Sequence, residues 1–159
     1  MRHRINAAVE TGTYLGDTAS MLRLLVRQVY TIEISPELAK RARVRFRHSR
    51  RVTVLEGDSG DVLPGLVGHL PPRTLFWLDG HYSWGITSRG RTDTPIREEL
   101  ATILAIPEER HHILLIDDVR DFGSGDYPAI EEIQRAILAA WPGYRVTIED
   151  DILRALPAR

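Results

Sequence analysis

Apolar and polar positions alternate along this chain in two rhythms, one of period two and one of helical period. Ala7-Ala8-Val9-Glu10 is a short apolar run that ends in Thr11-Gly12-Thr13-Tyr14-Leu15-Gly16. Asp17 or Thr18 then caps a helix predicted through residue 29, with Ala19, Leu22, Val26 and Val29 on one face. Residues 29–34 are rich in β-branched side chains and read as a strand. Ser35-Pro36-Glu37 is a helix start: a cap, a proline in the first turn, and an acid near the positive end of the dipole. That helix buries Leu38, Ala42 and Phe46. Residues 52–56 form a third strand, closed by Gly57-Asp58-Ser59-Gly60-Asp61, and a short helix over 62–69 follows. Residues 74–79 are apolar almost throughout, as in a central strand covered on both faces. Thr94-Pro95 opens a helix with Ile96, Leu100, Ile103 and Leu104 inward. Residues 113–116 are a fifth strand ending in Asp117-Asp118. A helix over 128–141 is stopped by Pro142-Gly143, and 144–149 and 152–156 form an antiparallel pair about Asp150-Asp151.

Strands alternating with helices predict an α/β protein: a doubly wound, Rossmann-like parallel sheet with an antiparallel final pair. The 159 residues make one domain, long enough to bury roughly 68–70% of the unfolded surface. In such sheets ligands bind outside the carboxyl ends of the strands, at the topological switch point. Glu10, Glu33, Asp58, Asp79, Asp117 and Asp118 all close or follow apolar strands, so they share that edge.

Composition narrows the chemistry. Cysteine is absent, which excludes disulfides, thiolate metal sites and a cysteine nucleophile, and fits a cytoplasmic protein. No run of about 18 apolar residues exists, so no membrane span is expected. With 21 basic and 22 acidic residues the net charge is −1, far from the basic balance of a generic polyanion binder. Lys40 is the only lysine, so a catalytic lysine is Lys40 or none.

The first loop, Glu10-Thr11-Gly12-Thr13-Tyr14-Leu15-Gly16-Asp17-Thr18, lacks the Gly-Lys-Ser/Thr of a phosphate loop and the three glycines of a dinucleotide fingerprint. An acid at its head suits a ligand with a positive group. Glu33, 21 residues after Gly12, sits where a carboxylate accepts hydrogen bonds from two ribose hydroxyls, and Asp58 is placed to meet the exocyclic amine of an adenine. Ribose, adenine and a cationic amino-acid moiety together describe S-adenosylmethionine. Glu10-x-Gly12-x-x-x-Gly16, Glu33, Gly57-Asp58 and Asp79 resemble the class I S-adenosylmethionine-dependent methyltransferases over nearly the whole chain. Gly57-Asp58-Ser59, Leu78-Asp79-Gly80-His81 and Ile116-Asp117-Asp118 are similar to the metal-dependent small-molecule O-methyltransferases within that group. The resemblance implies that Gly12 and Gly16 let the backbone approach the cofactor, with Thr13, Tyr14 and Thr18 in the same loop. It implies that Glu33 holds the ribose, that Asp58 and Ser59 contact the adenine, and that Asp79 lies near the methionine end and a metal. The acceptor is then an oxygen of a small molecule. Metal-independent transfer to nitrogen or oxygen, and a cofactor-binding domain without catalysis, are the alternatives.

If the fourth and fifth strands are neighbours, Asp79, Asp117 and Asp118 converge and repel unless a cation lies between them. Oxygen ligands suit Mg²⁺, which would lower the pKa of a substrate hydroxyl. The alternative is an acid that caps a turn, with Arg120 the nearest base able to neutralise the cluster. His81 is a candidate general base or metal ligand, or a histidine bonded within its own loop; relatives often carry a lysine base near this point and this chain has none. Residues 83–94, with Trp84, Arg89 and Arg91, are too long for a mere connector. Arg41, Arg43, Arg45 and Arg47 with Arg50-Arg51 make a basic helix face, open to nucleic acid or to solvent; balanced charge favours solvent. The relatives carry helices before the first strand that roof the site, so a second copy of the chain is one expected cover for the cleft.

Overall fold

The computed structural model describes residues 5–79 and 94–158. Each predicted apolar run becomes a strand: β1 (Ala7–Thr11), β2 (Gln28–Glu33), β3 (Val52–Glu56), β4 (Thr74–Leu78), β5 (Ile113–Ile116), β6 (Tyr144–Glu149) and β7 (Ile152–Pro157). The helices are α1 (Asp17–Leu25), α2 (Pro36–Phe46), α3 (Ser59–Val67), α4 (Ile96–Leu104) and α5 (Ile130–Ala140). The sheet order is β3-β2-β1-β4-β5-β7-β6. The first five strands are parallel, and β7 enters antiparallel between β5 and β6. The chain winds outward from β1 to β3, then crosses back to β4 on the other side of β1. That reversal makes β1/β4 the switch point of a doubly wound sheet.

Two apolar layers cover the sheet. Val9, Ile32, Leu63, Phe76, Ile103, Leu114, Ile137 and Trp141 belong to the larger, which takes in α3, α4 and α5. The smaller holds Ala8, Ala19, Leu22, Val29, Ala42 and Phe46, from β1, β2 and the inward faces of α1 and α2. Among the described residues no helix is long and apolar enough to cross a membrane.

Several boundaries differ from the sequence pattern. The first helix ends at Leu25, not near residue 29, because Val26 is already extended (φ −125°, ψ 167°). Its face of Ala19, Leu22 and Val26 is buried as predicted, while Val29 is buried from β2. Neither Asp17 nor Thr18 caps this helix. Gly16 does, in left-handed conformation at φ 82°, and no side chain takes over the first N–H groups. The third helix begins at Ser59, three residues earlier than predicted, because Asp58 accepts the Gly60 N–H at 2.9 Å and so acts as its cap.

Candidate functional site

The glycine loop occupies the switch point. Gly12 N–H and Thr13 N–H both donate to Ile32 O of β2, at 3.0 and 3.3 Å, which pins the loop over the neighbouring strand. Gly12 and Gly16 stand at φ 83° and 82°, where a Cβ is disfavoured. At Gly16 a Cβ would also come within 3.0 Å of the Phe46 ring, so the loop needs glycine there twice over. Tyr14, at φ 48°, shares the left-handed region and exposes its ring to solvent.

Two buried carboxylates flank the loop in different ways. Glu33 ends β2 and is 4% exposed. It accepts Tyr14 N–H at 2.8 Å on one oxygen and Ser35 N–H at 2.9 Å on the other. A carboxylate has about four acceptor positions, so two remain for hydroxyl donors. Glu10 is more deeply placed, at 1% exposed, and accepts the Thr31 hydroxyl at 2.5 Å; Thr13 and Thr31 hydroxyls are 2.5 Å apart. Burial pushes the Glu10 carboxyl up to about 7, with Asp79 and Glu33 adding like-charge repulsion, against the Thr31 hydroxyl and the Ala19 N–H, which pull it down. Glu10 therefore sits below the loop, an acid that an incoming cation would ionise.

Sequence reasoning missed Glu99. This α4 residue is 1% exposed and receives the Ser59 hydroxyl at 2.5 Å. Burial raises its carboxyl to about 7, opposed first by the Ser59 bond. Ser59 thus donates its hydroxyl proton inward to α4. Asp58, beside it, spends one oxygen on the Gly60 N–H. The signal for Glu99 was in the pattern: Ile96, Glu99, Leu100 and Ile103 are one helical face, and an acid on an inward face needs a reason.

Asp79, Glu99, Asp117, Phe122 and Tyr127 line a shared cavity beyond the ends of β4 and β5. Phe122 and Tyr127 meet edge to face, centroids 5.4 Å apart. Burial raises the Asp117 carboxyl, and Asp79, Asp118 and Asp151 raise it further. The sequence placed Asp79, Asp117 and Asp118 together, and the fold does bring them to one rim.

These residues do not fit a hard divalent cation. Arg120 donates to the carboxylates of both Asp118 and Asp151, and its N–H meets Asp151 at 2.9 Å. Asp118, at φ 54°, is the corner of this clamp between the end of β5 and the β6–β7 turn. Among the described residues no group of three or more acids or histidines is placed to hold a metal ion. The expected Mg²⁺ ligand set of Asp79, Asp117 and Asp118 finds no support among the described residues, where Arg120 places a positive charge beside Asp118. His81, Trp84, Arg89 and Arg91 lie outside the described residues.

No family model matches the chain, and no curated protein matches it. Solved structures do. Methyltransferase PaMTH1 of Podospora anserina, solved with SAH bound, superposes with a TM-score of 0.59 at 18% identity, covering 97% of this chain and 72% of that one. Rv0187 from MTB, solved with its cofactor, gives 0.63 at 20% identity, over 97% and 73%. A SAM-dependent methyltransferase from Aquifex aeolicus gives 0.56 at 19% identity, over 98% and 85%. At such identities the likeness is one of fold. Taken with the strand order and the reversed β7, it establishes that this chain has the class I methyltransferase fold.

Proposed function

We propose that the protein binds S-adenosylmethionine across the carboxyl edge of β1, β2 and β4 and transfers its methyl group to a small-molecule acceptor. The observation that carries this reading is Glu33. It is a buried carboxylate at the end of the strand beside the glycine loop, tied to that loop through Tyr14 N–H and left with acceptor capacity. Two ribose hydroxyls satisfy it. Gly12, Thr13, Tyr14, Gly16 and Thr18 supply the loop against which the amino-acid end lies, and Glu10 beneath it meets the ammonium group. Asp58 keeps one oxygen for the adenine amine, while Ser59 contributes by holding α3 to Glu99. Asp79 marks the methyl end, where the aromatic-walled cavity receives the acceptor. Support also comes from the SAH carried by the Podospora protein of the same fold.

The acceptor atom is proposed to be oxygen, on the resemblance of the Gly57-Asp58-Ser59 and Leu78-Asp79 segments. The scheme assigns no step to a metal, and Arg120 supplies the positive charge beside Asp118. The chain's contribution to rate is placement: holding the sulfonium methyl and the acceptor at reacting distance. Calorimetry with S-adenosylhomocysteine tests the cofactor, and transfer of tritium from labelled S-adenosylmethionine to a panel of phenols and amines tests the reaction. Binding without transfer to any acceptor leaves a cofactor-binding domain; absence of binding defeats the reading.

A further inference from the structure

The basic residues are not spread evenly. Between Asp17 and Arg51 stand nine arginines and lysines against three acids, in a chain whose net charge is −1. Such asymmetry raises the question of which of these charges find a partner within the chain. Part of the charge is matched locally. Arg41 pairs with Glu37 at 3.2 Å, Arg43 with Glu56 at 2.7 Å and Arg45 with Asp17 at 2.8 Å.

The groove between α1 and α2 is different. Ser20 and Arg23 of α1 face Arg45, Phe46, His48 and Ser49 across a cavity of about 170 Å³, and no acid lines it. Arg23 Nε is buried and has no acceptor among the described residues. Arg23 lines the cavity and makes no ion pair among the described residues, so an anion held in the cavity is one way to balance its charge. Arg45 is fixed from behind: it donates to Leu15 O, pairs with Asp17, and lies 5.6 Å from the centroid of the Phe46 ring. The two serine hydroxyls and the His48 imidazole can also donate. The lining therefore offers several donors and the unpaired charge of Arg23, on a wall stiffened by an aromatic ring. The complementary ligand is a compact anion that only accepts hydrogen bonds and has oxygens in several directions.

We propose that the α1–α2 cavity is a phosphate-binding site, taking the phosphate group of a monoester or a phosphodiester. Arg23 supplies the central contact, and Arg45, His48 and the serines surround it. The site lies on the flank of the sheet, away from the Asp79–Asp117 rim, and stands independently of the methyl-transfer reading.

The test is calorimetry on the full chain with inorganic phosphate, ribose 5-phosphate and a short oligouridylate, at low and at physiological salt. Saturable one-to-one phosphate binding is expected, weakened by about tenfold or more in Arg23→Gln, where one charged hydrogen-bond donor is lost. Arg50→Gln, exposed and outside the cavity, should bind as the wild type does. A monoester preference identifies a small phosphorylated molecule. A preference for the oligonucleotide, with a log–log salt slope shallower by about one in Arg23→Gln, identifies a phosphodiester backbone. If Arg23→Gln does not fold, the double substitution His48→Ala with Ser49→Ala should weaken phosphate binding severalfold. No saturable binding, or equal losses in Arg23→Gln and Arg50→Gln, would overturn the proposal and reduce the flank to diffuse surface charge.

Discussion

The two edges of the sheet bury polar groups in opposite ways. At the amino edge, every bond named for a buried side chain ends on the backbone. His112, 1% exposed, accepts Thr74 N–H on Nδ1 at 3.1 Å, and its own carbonyl accepts the Tyr144 hydroxyl at 2.8 Å. Trp141 Nε1 donates to Ile106 O at 2.9 Å, and the Thr74 hydroxyl donates to Pro71 O at 2.8 Å. Burial holds the His112 imidazole down to about 4, so it is neutral there, and Arg110 nearby adds to the effect. At the carboxyl edge the buried groups are acids set among acids: Glu10 and Glu99 are raised to about 7, and Asp117 is raised as well. One edge closes the fold. The other buries carboxyls beside one another, at a cost in stability once they ionise, the pattern expected where a ligand completes the balance.

The contrast predicts that stability and ligand binding separate by edge. Trp141→Ala should have the largest effect on folding, about 3–5 kcal/mol, because it empties a fully buried ring site and orphans Ile106 O. Urea melts measure the loss, and S-adenosylhomocysteine affinity of the folded fraction should be unchanged. A fall in affinity as large as the fall in stability would erase the distinction between the edges.

The pH dependence should divide in the same way, with opposite signs. Glu10 has a folded value of about 7 against 4.5. The folded state therefore holds the proton longer than the unfolded chain, and stability falls as pH rises from 4.5 through 7. Glu10→Gln should remove roughly 3 kcal/mol of that loss, the gap between 4.5 and about 7 taken at 1.36 kcal/mol per pH unit. His112 has a folded value of about 4 against 6.5. Below 6.5 the unfolded chain takes up a proton that the folded one refuses, so this contribution is complete above 6.5 and is lost as pH falls to 4. His112→Asn should flatten that acid limb. Urea melts from pH 4 to 8 test both. A Glu10→Gln profile parallel to wild type above pH 5 would show that Glu10 is not the source.

Glu33→Ala should weaken S-adenosylhomocysteine by about 1–3 kcal/mol, the scale of charge-assisted hydrogen bonds, read by calorimetry. Glu33→Gln should recover part of the loss, since its carbonyl oxygen still accepts. Unchanged affinity in a folded Glu33→Ala protein would remove the ribose assignment.

What could be read in advance depended on how local the cause was. The strands and the buried face Leu38-Ala42-Phe46 follow from apolar period alone, and they came out in place. The edge of acids was legible because each acid ends an apolar run. The end of α1 was not, since Val26 and Val29 continue the helical spacing and only the extended backbone at Val26 decides against it. The Gly16 cap depends on a left-handed φ that favours glycine but is not announced by it. The Arg120 clamp needs Asp151, 31 residues away, delivered by the β6–β7 hairpin, and pattern within one segment carries no such pairing.

The smallest expected effect concerns that clamp. Arg120 holds Asp118 and Asp151 together at the rim of the acidic cavity, while Asp79 and Asp117 lie beside them. If the arginine is the resident cation, added Mg²⁺ must compete with a tethered guanidinium already bonded to Asp118, and it gains few ligands by doing so. Titration of wild-type protein with Mg²⁺ should therefore give no saturable heat at millimolar concentration, and EDTA should leave any methyl transfer unchanged. Arg120→Ala removes the guanidinium from both carboxylates, so weak Mg²⁺ binding should appear in the variant alone. Loss of transfer in EDTA, restored by Mg²⁺, would instead mean that the acids part from Arg120 when substrate binds. The carboxyl edge would then be a metal site that the arginine only keeps in reserve.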